Sequence, residues 1–125
     1  MTITSLNEQD KKRLEIEFCG LKLNSPLILL SGCVGFGEEY TRIRGFSNTD
    51  VGAICLKGTT LEPRLGNPPR RVTGTYMGMI NAIGLQNPGS KMVVNEYLPN
   101  LDFTETRFIA NLSGSTLEEY EEVTR

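Results

Sequence analysis

The chain has 125 residues, 38% hydrophobic and 22% charged, which suits one globular domain and argues against wholesale disorder. A net charge of −2 excludes a nucleic-acid surface built on basic excess, and no apolar run approaches the ~20 residues of a membrane span. Histidine is absent, which removes His-dependent triads, H-E-x-x-H zinc sites and His general bases from these residues.

Residues 1–13 read as a polar, mobile lead-in. Charges stand there where a signal peptide needs its apolar core, which points to the cytoplasm. "LEIEF" alternates Leu14, Ile16 and Phe18 with Glu15 and Glu17, and Gly20 permits a turn into "LKL". Residues 14–23 therefore read as a small hairpin. "LILL" after Pro26 suits a strand buried on both faces, and "SGCVGFG" supplies a glycine-rich turn. "EEYTRIRGF" has a short helical pattern, and "VGAICLKG" is a second buried strand. Residues 59–80, punctuated by Pro63, Gly66, Pro68, Pro69, Gly74 and Gly78, read as a long loop. "SKMVVNEYLPNL" can form a helix interrupted by Pro99, and "RFIANLSG" is a third strand. "STLEEYEEVTR" begins a helix with Ser115 and Glu118 as a capping box.

Strand and helix alternate three times, the order of a parallel α/β fold. A (β/α)₈ barrel typically needs ~250 residues, so three such units plus a hairpin make somewhat under half of one. Cys19, Cys33 and Cys55 are widely spaced without a C-x-x-C pair, which fits reduced thiols rather than a disulfide framework or a zinc site. No metal site is expected.

Ligands of parallel α/β folds bind at the carboxyl ends of the strands. Ser31-Gly32, Lys57-Gly58-Thr59-Thr60 and Asn111 fall there, with Asn81 in the loop between the second and third strands. Each has a plainer reading. Gly32-x-x-Gly35-x-Gly37 is not the dinucleotide order G-x-G-x-x-G, and Lys57 alone could be a surface lysine. Asn111, at the end of an apolar strand, needs a buried partner. In "NAIGLQNPG", Asn81 and Asn87 offer donors and acceptors to a ligand with alternating C=O and N–H edges. Gly84 would admit close approach, so that the N–H groups of Gly84 and Leu85 could hold an anion. The plainer alternative is a turn-rich loop that satisfies its own backbone.

"SGCVGFGEEY", "GAICLKGTTLEPRLGNPPRRV", "GMINAIGLQNPG" and "IANLSGST", in this order, resemble the dihydroorotate dehydrogenases over residues 14–125. The soluble NAD-linked type is the nearest, and the part resembled is its N-terminal portion. The resemblance implies a TIM barrel with FMN at the carboxyl-end rim, oxidising (S)-dihydroorotate to orotate in pyrimidine synthesis. A base removes the proton from C5 while hydride leaves C6 for the flavin. It implies FMN contacts at Ser31, Lys57, Gly58 and Asn111. Lys57 would also face the substrate, with Asn81 reading the pyrimidine edge and the stretch Ala82, Ile83, Gly84, Leu85 holding the carboxylate.

A partner subunit with FAD and an iron–sulfur cluster is implied, around a homodimer core in a heterotetramer. The Cys base of this type lies in an S-C-P-N-like segment expected beyond Arg125, so the 125 residues are expected to be inactive alone. Arg70 departs from the family, which more often has proline there. One alternative is the fumarate-linked type, against which "NAIGLQN" argues, since that type has a Ser-Met-Gly-Leu-Pro version. The other is a truncated, non-catalytic half-barrel.

Overall fold

The computed structural model describes residues 5–125, and they fall into two compact units. The first runs up to Lys57 and includes Asn100–Asn111; the second comprises Gly58–Pro99 and Leu112–Arg125.

In the first unit the polar lead-in contains a helix, α1 (Glu8–Leu14). Asn7 caps it by accepting the Asp10 N–H at 2.9 Å. Glu8 and Asp10 occupy the first turn and Lys11, Lys12 and Arg13 the last, matching the helix dipole at both ends. Strands β1 (Ile16–Phe18) and β2 (Leu21–Leu23) form the expected hairpin, in register Ile16↔Leu23. Its two-residue turn, Cys19-Gly20, has φ of 50° and 79°, the double left-handed pattern that follows the twist of the flanking strands.

Three short strands make a parallel sheet: β3 (Ile28–Leu29), β4 (Ala53–Cys55) and β7 (Arg107–Ile109), in the order β3-β4-β7. The central β4 is buried, and with Leu23, Val34, Phe36, Val51 and Leu56 it forms the core of this unit. β3 lies at an edge of the sheet and is half-buried, with Leu27 and Leu30 exposed, rather than covered on both faces. The helical pattern after it shrinks to one 3₁₀ turn at Tyr40–Arg42. A second 3₁₀ turn, Asn48–Asp50, is closed by a reciprocal box in which the Asp50 carboxylate accepts the Ser47 N–H. Gly45, at φ 88°, separates the two turns.

Gly52 shows how tightly β4 is entered. A Cβ there would lie 1.9 Å from the Ser25 carbonyl oxygen and 3.1 Å from the Leu23 Cβ. Ser25 is itself buried, so neither neighbour can retreat into solvent. Gly52→Ala is expected to lower stability by roughly 2–3 kcal/mol through overpacking, read as a lower denaturation midpoint.

The second unit holds a hairpin inside the stretch expected to be loop: β5 (Val72–Thr75) and β6 (Gly78–Asn81), paired Val72↔Asn81 through Thr75↔Gly78. Val72, Thr73 and Thr75 favour strand, but the connecting Tyr76-Met77 carries no glycine or asparagine to signal a hairpin turn. The next helical stretch is continuous from Ser90 to Asn100: α2 (Ser90–Met92), a π-helical turn Val93–Tyr97 and a 3₁₀ turn Leu98–Asn100. Pro99 has no N–H to continue the ladder, and the chain widens to π spacing just ahead of it, Leu98 N–H donating to Val93 C=O. Helix α3 (Leu117–Thr124) is capped by Thr116, one residue later than the Ser115–Glu118 box. The Ser115 hydroxyl instead accepts from the Arg64 guanidinium, which leaves the cap to Thr116. Among the described residues Val93 is the one fully buried apolar side chain of this unit; Thr59, Thr60 and Asn87 fill the rest of its interior.

Candidate functional site

Ser31, Lys57 and Asn111 each stand two residues beyond the last residue of a parallel strand, after Leu29, Cys55 and Ile109. Because Cys55 pairs with Ile109, Lys57 and Asn111 occupy matching positions at the carboxyl ends of β4 and β7. The Lys57 N–H donates to the Gly35 carbonyl at 2.7 Å, tying the end of β4 to the glycine-rich turn. A Cβ on Gly32 would lie 3.8 Å from the Lys57 ammonium nitrogen, so this side chain rests against the same turn. Asn111 is half-buried, and its side-chain amide makes no hydrogen bond to another described residue. The buried partner expected for it is not supplied by these residues. A half-buried amide of this kind is left for a ligand or water.

The second unit carries Gly58 and the Asn81–Leu85 stretch. Gly58 is buried. Asn81 ends β6 opposite Val72 and is exposed. The chain then turns through Gly84 at φ 77° and Leu85 at φ 52°, two consecutive left-handed residues. Asn67 braces this turn from behind: its N–H donates to Ile83 C=O at 3.0 Å and its side-chain amide to Ala82 C=O at 2.8 Å. The carbonyls are thereby consumed. The N–H groups of Ile83, Gly84, Leu85 and Gln86 donate to no other described residue. Successive unpaired N–H groups in a left-handed turn make a concavity suited to an anion.

Two parts of the sequence reading change here. Gly84 is required chiefly by Asn67, since a Cβ would come within 2.7 Å of the Asn67 backbone nitrogen, rather than by close approach of a ligand. Asn87, expected to face a ligand, is buried and fully engaged within the protein. Its Oδ1 accepts the N–H of Thr60 at 3.1 Å and of Gly89 at 2.9 Å. Its Nδ2 donates to the Thr60 hydroxyl and to Leu85 C=O, both at 2.9 Å. The Gln86 carbonyl oxygen is also engaged, accepting from the Arg71 guanidinium at 2.7 Å. Of the amides in this stretch Asn81 alone has neither end bonded to a described residue. The bracing role of Asn67 escaped the sequence reading because its partners lie 15 or more residues away.

The fold and these groups define a class: an α/β protein whose first unit carries a lysine and a half-buried amide at the carboxyl ends of a parallel sheet, and whose second unit carries a turn of unpaired backbone donors. The sequence model of the dihydroorotate dehydrogenase family matches residues 13–125, and the chain belongs to that family. The catalytic subunit of the NAD(+)-linked dihydroorotate dehydrogenase B of Bacillus caldolyticus is 53% identical over 111 residues, covering 89% of this chain and 35% of the relative. The same subunit of Listeria welshimeri is 50% identical over 111 residues, covering 89% of this chain and 36% of the relative. This chain thus spans about a third of the length of the relatives it matches. The crystal structure of a DHODH from Eimeria tenella in complex with ferulenol shares the fold, at TM-score 0.65 and 18% identity, over 92% of this chain and 34% of that one.

Proposed function

We propose that these residues form the N-terminal part of an FMN-binding (β/α)₈ barrel, the catalytic subunit of a cytoplasmic, NAD-linked dihydroorotate dehydrogenase. Its reaction is the oxidation of (S)-dihydroorotate to orotate, with electrons passed to NAD through a partner subunit holding FAD and an iron–sulfur cluster around a homodimer core. Residues 14–125 belong to the barrel, and residues 1–13 precede it. No helix among the described residues is long and apolar enough to cross a membrane.

The observation that carries the reading is Asn81 followed by four unpaired N–H groups. Dihydroorotate is a cyclic imide bearing a carboxylate. The Asn81 amide offers the donor and acceptor that its C=O and N–H edge needs, and the N–H groups of residues 83–86 suit the carboxylate. FMN fits Ser31, Lys57, Gly58 and Asn111, the support being the unpartnered amide of Asn111 and the ammonium resting on the glycine-rich turn. When bound, the flavin supplies the hydride acceptor. Lys57 contributes fixed positive charge toward the cofactor and the substrate carboxylate. None of Cys19, Cys33 and Cys55 stands in an S-C-P-N-like segment, so the reading gives none of them the role of the proton-abstracting base.

The test is anaerobic mixing of the full natural protein, flavin retained, with dihydroorotate. Bleaching of the flavin absorbance is expected, and its absence with FMN bound would sink the proposal. Asn81→Ala is expected to weaken orotate binding by about tenfold or more while flavin content is kept. Unchanged orotate affinity would remove Asn81 from the substrate site.

A further inference from the structure

The first unit has a second polar site at the opposite end of its sheet. A cavity of about 300 Å³ opens where β4 and β7 begin, lined by Lys22, Asn24, Gly52, Thr104, Thr106 and Arg107, with Phe103 at its side. We propose that it is an oxyanion site that takes a phosphate group, either as the free ion or on a small organic monoester.

Two cations meet there. The Arg107 Nε donates to the Lys22 carbonyl, which sets the guanidinium against the lysine backbone. None of the lining residues is acidic. Glu17, opposite Lys22 in the hairpin register, forms no ion pair with it, and neither Lys22 nor Arg107 is paired with any described carboxylate. The nearby Asp102 is spent on Thr104, accepting its N–H at 2.8 Å and its hydroxyl at 2.6 Å. Those bonds hold the Asp102 carboxyl below its ordinary range, and it makes no ion pair with Lys22 or Arg107. The Asn24 amide has no hydrogen-bond partner among the described residues.

Two cationic residues lining one cavity, neither in an ion pair with a described residue, favour a bound anion. The lining supplies a planar guanidinium, a point-charge ammonium and an amide N–H₂, a donor set without an acidic member that suits a phosphate. Phe103 is more than half exposed, and Phe108 crosses it edge-on with ring centroids 5.4 Å apart. It offers a firm apolar surface to the organic part of a monoester. This site does not depend on the flavin reading.

The experiment uses the full natural protein with its flavin and any partner subunit retained, under saturating orotate. The readout is local: acylation of Lys22 by acetic anhydride, followed by mass spectrometry, with inorganic phosphate or adenosine 5′-monophosphate as probe. Saturable protection of Lys22 is expected, weakened about tenfold in Arg107→Gln and in Asn24→Ala. Stronger protection by phosphate assigns the free ion, and by the nucleotide, the monoester. No saturable protection in the unmodified protein by either probe overturns the proposal, and that arm needs no variant to fold.

Discussion

Lys57→Ala is expected to slow dihydroorotate-dependent flavin bleaching by about 10²–10³-fold in the full natural protein. The reason lies in where the ammonium is placed. Lys57 follows the central buried strand, its N–H is fixed to Gly35, and a Cβ on Gly32 would lie 3.8 Å from its Nζ. A positive charge at that strand end would stabilise negative charge as it develops on the proposed flavin and substrate. Lys57→Arg keeps the charge but replaces a point ammonium with a planar fork, so partial recovery is expected rather than full activity. Stopped-flow single turnovers separate the reductive step from binding. A Lys57→Ala protein with an unchanged bleaching rate and an unchanged substrate dependence would refute the assigned role.

Asn87→Ala is expected to lower stability by roughly 3 kcal/mol while leaving the unpaired N–H groups of residues 83–86 chemically intact. The cost comes from what it strands. Thr60 and Gly89 N–H lose their acceptor inside the protein, and the Leu85 carbonyl loses its donor. With Val93 the one fully buried apolar side chain of that unit among the described residues, this hydrogen-bond cluster holds much of its interior. Asn87→Asp should also destabilise, since it deletes the amide donor and buries a charge. Urea denaturation and hydrogen exchange at Thr60 and Gly89 read the effect. A variant of native stability with weakened orotate binding would instead return Asn87 to the ligand.

The motifs from 14 onward carried the family, and the local patterns carried much of the layout. The hairpin followed from alternation and Gly20, though it begins at Ile16 because Leu14 closes α1, and the three parallel strands followed from apolar runs ending in polar residues. Local chemistry failed where a distant partner decided the outcome. The hairpin at 72–81 has no glycine or asparagine in its turn, so only the cross-strand pairing reveals it. The capping residue of α3 moved to Thr116 because Arg64, far back in the chain, takes the Ser115 hydroxyl. Residues 8–13, all polar, still form most of α1 because its N-cap and charge order satisfy the helix ends without a buried face.

By itself, the sequence determined the chemistry on offer: a chain without histidine, with Lys57, Asn81 and Asn111 after apolar strands or beside glycine-rich turns, in the order of one enzyme family. Residue type and spacing are local properties, and they survive without a structure. Only the tertiary structure decided which amides are available. Asn81, Gln86 and Asn87 are alike in kind, yet Asn87 is consumed by Thr60 and Gly89 and the Gln86 carbonyl oxygen by Arg71. Whether a polar group serves the fold or a ligand depends on what lies across from it in space.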